Sequence, residues 1–475
     1  MANKSYDAIV IGAGPGGYVA AIRLGQLGLK VLCVDKEYWG GVCLNWGCIP
    51  SKALIAASGL AHKVRHAEKM GLFVKDVSVD VGKMQDWKDG IVHKLTSGVA
   101  SLVKGNGGDL LKGTAKLTGP KSVEVTKEDG SKESFDATKG IVIATGTSII
   151  QIPGFEPDGE MVITAREAVS LREAPKKMVL IGGGVIGLEL GMVYQKLGTE
   201  VTVVELMDQI LPGTDKDLVR VVEKHLTKGE NPATVLTKAK ATKLKKTKKK
   251  VTVTVEHDGQ EKTLDADKVL VAVGFKPNSK NLGLEEIGVK MDERGHVLVN
   301  GRLETNVPGV FAIGDVTGGP YLAHKASKEA ELCAEVIAGH ARSMDDVMAM
   351  PAAIFTDPEI ATVGLTETEA KAQGKKVAVG KFPFAALGKA MAVEETDGFI
   401  KVITDAEDEN KVLGMAVVGP EASTIISEGA LAMEMHAYAD DVGLTVHPHP
   451  TLGEGVMEAF KHALGEAVHI MNRRR

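Results

Sequence analysis

Cysteine is scarce in this chain, with four in 475 residues. So few thiols in so long a sequence exclude the disulfide framework of a secreted scaffold, and any close pair becomes a candidate for catalysis or metal binding. Long hydrophobic runs are missing too. Glycine or a charge interrupts every apolar stretch before the roughly 20 residues that a bilayer-crossing helix needs, so no membrane partner is expected. Neither sign of charge dominates: 57 Lys and Arg against 62 Asp and Glu leave a formal net charge of -5. That balance removes the general electrostatic reason to expect nucleic acid. An apolar strand pattern begins within MANKSYDAIV, which leaves no room for a signal peptide or an Arg-rich transit segment. The expectation is a reducing compartment: the cytoplasm, or the mitochondrial matrix if a presequence was trimmed.

What is present is an ordinary globular composition, 44% hydrophobic and 25% charged. The length exceeds what one hydrophobic core supports and implies roughly three or four domains. Two segments are copies of one unit: YDAIVIGAGPGGYVAAIRLGQLGLKVLCVDK and KKMVLIGGGVIGLELGMVYQKLGTEVTVVEL. Each reads as an apolar strand, a glycine-rich turn, a small-residue helix and a β-branched strand, which is a βαβ unit. The glycines are Gly12, Gly14 and Gly17 in one copy and Gly182, Gly184 and Gly187 in the other, with Asp35 and Glu205 at the same separation beyond them. One such turn is a weak signal, but agreement of glycines, flanking elements and terminal acid in two copies points to two dinucleotide sites. Glycine lets the backbone approach a pyrophosphate at the helix N-terminus, and the carboxylate accepts from ribose hydroxyls.

Residues 112 to 137 alternate as antiparallel strands with a turn at Glu128-Asp129-Gly130, and the lysine-rich stretch before a second turn at Asp258-Gly259 does the same. That lysine run reads as a solvated, charge-protected edge strand before it reads as an interaction patch. From about residue 348 the pattern changes to a separate C-terminal α+β domain.

Two of the cysteines lie in GGVCLNWGCIP, residues 40 to 50, with Cys43 before and Cys48 near the start of a probable helix. Helix polarity and nearby Lys52 favour a thiolate there, and Gly47 lets the loop fold back far enough for a disulfide. A zinc site would need two further ligands nearby. A redox pair fits best, with metal binding and plain burial as the alternatives. Cys33 and Cys333 read as packed core residues. A thiol reaction also needs a proton acceptor, and TVHPHPTLGE offers His447, His449 and Glu454. A carboxylate can orient such a histidine as a base, while metal ligation or a surface location are alternatives for two histidines so close together.

Together GGVCLNWGCIPSKALI, the two glycine fingerprints, GVFAIGDV and HPHPTLGE resemble the flavin-dependent pyridine nucleotide-disulfide oxidoreductases through essentially the whole chain. The resemblance is strongest to the members that oxidise protein-bound dihydrolipoamide. It implies an α/β fold with two Rossmann-like domains, for FAD and NAD, plus a C-terminal α+β dimerisation domain. The implied division is residues 1-150 for FAD, 151-278 for NAD, 279-347 as a central segment completing the FAD site, and 348-475 as the interface domain. By the same resemblance Cys43 exchanges with substrate and Cys48 faces the flavin. His449 is the base, Glu454 its partner, and the base of one subunit serves the cysteines of the other in a homodimer. Lys52 would sit by the flavin paired with Glu189; Asp315 and Gly146 would contact FAD, and Gly274 is a further cofactor-binding position. Implied partners are the lipoyl-bearing subunits of 2-oxo acid dehydrogenase complexes or the glycine cleavage system.

Asp35 stands where the family more often has glutamate, so a water is expected to bridge it to the ribose, and Trp46 is unusual between the cysteines. No arginine follows Glu205 in LMDQILPG, which favours NAD over its 2′-phosphorylated form. The rival readings are a reductase of a different disulfide and a non-catalytic nucleotide-binding subunit of a large complex.

Overall fold

The first fingerprint folds as β1 (Lys4–Ile11), α1 (Pro15–Gln26) and β2 (Val31–Asp35) in a computed structural model that describes residues 4–472. Part of the segment behind the leader reading lies outside the described residues. Pro15 sits at the first helical turn, where its missing N–H costs nothing. The buried face of α1 is Gly16, Gly17, Ala20, Ala21 and Leu24, small enough to bring the helix close to the sheet and to the helix Ala323–Ile337.

Between β2 and the next strand run α2 (Gly41–Asn45), α3 (Cys48–Arg65) and α4 (Val81–Gly105). The sheet is then completed by β3 (Gly108–Lys112), β4 (Thr114–Gly119), β5 (Ser122–Thr126) and β6 (Lys132–Ile143), in the order β3-β2-β1-β6-β5-β4. The twelve-residue β6 does two jobs. Its first half closes the antiparallel hairpins, and its second half lies parallel to β1 on one side and to the strand Val310–Ala312 on the other. Strands covered on both faces read as continuous apolar runs, which is why IVI and VLCV carry no alternation.

The second fingerprint repeats the plan with Lys177–Ile181, a helix and Glu200–Val204, in an all-parallel five-stranded sheet that also holds Thr234–Leu236, Lys268–Val271 and Val162–Ile163. Its helices near the cysteines are α5 (Ala165–Ala168) and α6 (Val185–Lys196). The lysine-rich strand Lys240–Lys246 is the edge of a separate three-stranded antiparallel sheet. It is largely exposed, with Lys246 paired to Asp158 and Lys250 to Asp265. The C-terminal unit is a five-stranded antiparallel sheet flanked by the helices Ala422–Glu434 and Glu454–Leu464, an α+β arrangement as expected.

One apolar cluster crosses all of this. Leu54 of α3 and Met84 of α4 join the core of the second parallel sheet and Ile360, Phe399, Ala416 and Val418 of the C-terminal sheet. A fully buried leucine contributes about 1.5–3 kcal/mol, so the helix that Cys48 opens is anchored against both other units. Among the described residues no helix is long and apolar enough to cross a membrane.

Candidate active site

The two glycine turns are nearly superposable in their chemistry. Gly12 and Gly182 have φ of +102° and +101°, and a Cβ at either would strike a carbonyl, Ala144 O at 2.3 Å or Ala272 O at 2.4 Å. Gly17 and Gly187 let the helix lie against the turn, since a Cβ there would fall 1.8 or 2.5 Å from the carbonyl of Gly12 or Gly182. Around the middle glycines, Gly14 and Gly184, a Cβ would meet nothing within 4 Å. The outer glycines are thus demanded by the fold. The middle ones border open space at a helix N-terminus, the place for a pyrophosphate.

The terminal acids brace these turns. Asp35 accepts from the N–H of Ala13 at 2.7 Å and from those of Glu37 and Tyr38 at 2.7 and 3.1 Å. Glu205 accepts from Gly183 at 2.6 Å and Met207 at 2.7 Å. The shorter Asp35 therefore does for the first turn what Glu205 does for the second, and each carboxylate keeps lone pairs for a ribose. Gly146 follows β6, and Asp315 follows the neighbouring strand Val310–Ala312. Both therefore lie, like the first glycine turn, at the carboxyl ends of parallel strands, where open α/β sheets hold their ligands. Burial raises the Asp315 carboxyl, and it accepts a long bond from Thr147 Oγ1 at 3.4 Å. Gly274, with φ of +117°, stands at the corresponding end of Lys268–Val271 in the second sheet.

Cys43 stands ahead of the helix that Cys48 opens, as expected, and lies inside a further short helix, α2. Left-handed Gly40 and Gly41 and the Asn45 amide, bonded to the carbonyls of Trp39 and Gly41, turn the chain there into a helix of its own. Cys48 then opens the eighteen-residue α3. The two thiols act on each other, and they are unequal. The hydrogen bond from Cys43 holds Cys48 below the ordinary thiol range, helped by Lys52 against the cost of burial. The same bond and burial push Cys43 far up. Of the two, Cys48 is the one whose thiolate is favoured, at a helix N-terminus. Cys33 and Cys333 are both fully buried and inert.

Lys52 pairs with Glu189 of α6 at 2.8 Å, and its ammonium lies 4.3 Å from the Phe355 ring centroid. Glu189 is buried, and its other oxygen accepts from Phe355 N at 2.9 Å. All three units of the chain meet at this one ion pair, behind Cys48.

The histidines separate cleanly. The His447 side chain is 7% exposed and held by Glu428 at 2.7 Å and by the Thr445 carbonyl at 2.9 Å. His449 is 77% exposed; its Nδ1 lies 2.8 Å from Glu454 Oε1, and Glu454 also accepts from Thr451 N. Its Nε2 is left facing outward. Among the described residues no hydrogen bond or ion pair joins His449 or Glu454 to the cysteine segment of the same chain. In the chain on either side of the histidine segment, Leu444, Val446, Val468 and Met471 are exposed apolar residues, 73–91% accessible.

Sequence reasoning missed Tyr18, whose phenol is raised first by burial and then by Cys43 and Cys48. It also missed Phe355 and Arg166, which approach the cysteine segment from distant parts of the chain, so no local spacing could signal them.

Comparison with known proteins agrees with this geometry. Residues 6–330 match the family model described as pyridine nucleotide-disulphide oxidoreductase, and residues 350–460 match its dimerisation domain. The chain is 48% identical over 469 residues to the dihydrolipoyl dehydrogenase of Halobacterium salinarum, covering 98% of each. It is 48% identical over 465 residues to that of Bacillus subtilis, again covering 98% of each. Among solved structures it is similar to LpdA from Mycobacterium tuberculosis, with a TM-score of 0.89 and 27% identity over 96% of this chain and 99% of that one. The HOCl-induced flavoprotein disulfide reductase RclA from Escherichia coli follows with a TM-score of 0.84 and 25% identity, over 96% and 99%. With both family models in chain order around a paired thiol, the chain belongs to the pyridine nucleotide-disulphide oxidoreductases.

Proposed function

We infer that this enzyme oxidises dihydrolipoamide to lipoamide and delivers the electrons to NAD through FAD. The observation that carries the chemistry is the placement of the pair, Cys43 in α2 and Cys48 at the start of α3 with the Lys52–Glu189 ion pair one turn on, which favours the Cys48 thiolate.

The residues fit the two nucleotides. Gly12, Gly14, Gly17, Asp35, Gly146 and Asp315 would hold FAD, with Lys52 and Glu189 beside it. Gly182, Gly184, Gly187, Glu205 and Gly274 would hold NAD, with no arginine near Glu205 to take a 2′-phosphate. When bound, FAD supplies the hydride chemistry that links the thiol pair to NAD.

In the exchange half-reaction a substrate thiolate attacks Cys43 of the oxidised pair. A substrate-Cys43 disulfide forms and the Cys43–Cys48 bond breaks, with Cys48 departing as thiolate. Its low proton affinity makes it the better leaving group. His449 of the partner subunit takes the proton from the second substrate thiol, which attacks the substrate sulfur and expels Cys43. Cys43, with its high proton affinity, takes up a proton, and cyclic lipoamide leaves. Glu454 holds the imidazole for this work. The dimerisation domain makes the homodimer the working unit, and the exposed apolar residues on either side of His449 in the chain suit a surface that a second copy covers. Lipoyl groups would arrive on subunits of 2-oxo acid dehydrogenase complexes or of the glycine cleavage system. That the relatives come from archaea and bacteria supports work in the cytoplasm.

A steady-state assay tests this, with NAD against NADP and dihydrolipoamide against glutathione. Turnover is expected for NAD with dihydrolipoamide and is expected to vanish in Cys48→Ser. A colourless purified protein, or equal activity after that substitution, would refute the reading.

A further inference from the structure

Trp46, between the two cysteines, has a partner in the second unit. The Arg166 guanidinium lies over the Trp46 ring, 4.4 Å from its centroid, and 5.9 Å from that of Tyr38. Tyr38 meets Trp46 edge to face at 5.4 Å and 80°. Arg166 Nη2 is bonded to Glu37 Oε1 at 2.7 Å, which fixes the guanidinium plane. Glu37 and Tyr38 follow Asp35, the acid that braces the first glycine turn, so this cluster reaches from the first dinucleotide site to the cysteine pair.

Arg166 is itself held firmly. It lies in α5, whose N-terminus is closed by the reciprocal Thr164–Glu167 capping box. The Tyr194 hydroxyl of α6 donates to the Ala168 carbonyl and ties α5 to α6. The N-terminus of α6 is the second glycine turn, and the same helix carries Glu189 to Lys52. The cysteine segment is therefore gripped by the second unit at two places. Lys52–Glu189 holds it one turn beyond Cys48, and Trp46–Arg166 holds it between Cys43 and Cys48. Both grips converge on α6.

We propose that Trp46 and Arg166 are positioning residues for the thiol chemistry: the guanidinium clamp sets the α2–α3 junction and with it the approach of Cys43 to Cys48. The proposal rests on the cysteine pair being the redox centre inferred above. Without the clamp the Trp46-Gly47 junction relaxes, the bond between the thiols lengthens, and Cys48 loses the largest influence that favours its thiolate.

The test uses the purified holoenzyme with Trp46→Val, Arg166→Met, Arg166→Lys and the double variant Trp46→Val/Arg166→Met. The readouts are kcat and KM for dihydrolipoamide, FAD content, melting temperature, and the pH profile of alkylation of the reduced pair by iodoacetamide. Trp46→Val and Arg166→Met should each lower kcat by about 2- to 5-fold, equivalent to about 0.5–1 kcal/mol for a cation–π contact made by an exposed arginine. FAD content should hold, and the alkylation profile should move to higher pH. The double variant should lose no more than either single one, since both remove the same contact, and Arg166→Lys should recover most of the loss. A contact that only joins the two units would shift melting and leave the alkylation profile in place, and that result overturns the proposal. Additive losses in the double variant also overturn it. If Trp46→Val fails to fold, the Arg166 pair decides alone. A wild-type enzyme inactive on dihydrolipoamide whose Arg166→Met variant still shifts the alkylation profile would sink the substrate reading and keep the positioning one.

Discussion

Gly184→Ala separates folding from nucleotide binding. Gly184 has φ of -77° and ψ of -179°, extended backbone that any L-residue adopts, and an added Cβ would meet nothing within 4 Å. Alanine there should leave the apoprotein intact or slightly stabilised, since a Gly→Ala change at a compatible position contributes about 0.4–1 kcal/mol through the unfolded chain. The open space is nonetheless where a pyrophosphate would approach the N-terminus of α6. A methyl group that pushes the phosphate off one charge-assisted backbone bond removes about 1.5–3 kcal/mol, which corresponds to about a 10- to 150-fold weaker affinity. The expectation for steady-state dihydrolipoamide oxidation is a KM for NAD raised by that factor, with FAD absorbance and melting temperature unchanged. Gly187→Ala is the contrasting variant: its Cβ would fall 2.5 Å from the Gly182 carbonyl, so melting and expression should both suffer. An unchanged KM for NAD in Gly184→Ala, or a lowered melting temperature, would refute the reasoning that its open space belongs to the nucleotide.

Three further outcomes follow from the same geometry. Gly14→Ala, the counterpart in the first turn, should weaken FAD retention during purification while the fold persists; full flavin content would contradict it. His449→Gln should slow dihydrolipoamide oxidation by about 10²- to 10⁴-fold with FAD retained, the usual worth of a general base. His447→Gln should instead cost stability, by about 0.5–1.5 kcal/mol for the partly exposed bond to Glu428; equal turnover losses in the two variants would remove the distinction. The fourth concerns pH. Cys48 is an acid held below the ordinary thiol range, so its thiolate forms above that depressed value and is lost as pH falls through it. Lys52→Met deletes a charge that favours the thiolate, so the ultraviolet thiolate absorbance of the reduced enzyme should titrate at higher pH. A titration that stays put or moves down would show that Lys52 does not act on Cys48.

The sequence by itself determined the parts of this protein whose chemistry is local. Two glycine fingerprints, with their strands, helices and terminal acids, are each written in about thirty consecutive residues, because the constraints on a βαβ nucleotide turn act between near neighbours. The pairing of Cys43 with Cys48, the edge character of the lysine-rich strand and the α+β nature of the C-terminal unit were legible for the same reason. The short α2 around Cys43 was not legible, because two left-handed glycines and the Asn45 amide, rather than apolar spacing, make it.

What only the tertiary structure decided depends on contacts between distant segments. That the His449 side chain is exposed and the His447 side chain covered comes from Glu428 on the helix Ala422–Glu434, although the two histidines look alike in HPHP. That the Cys48 thiolate is favoured depends on the neighbouring Cys43 and on a lysine kept in place by Glu189 from the second unit. Trp46, an anomaly in the linear motif, acquires a partner once α5 is folded against α6 and Arg166 swings over its ring. In each case the deciding quantity is burial or an interaction over a few ångströms between residues far apart in the chain, and only the folded packing brings such residues together.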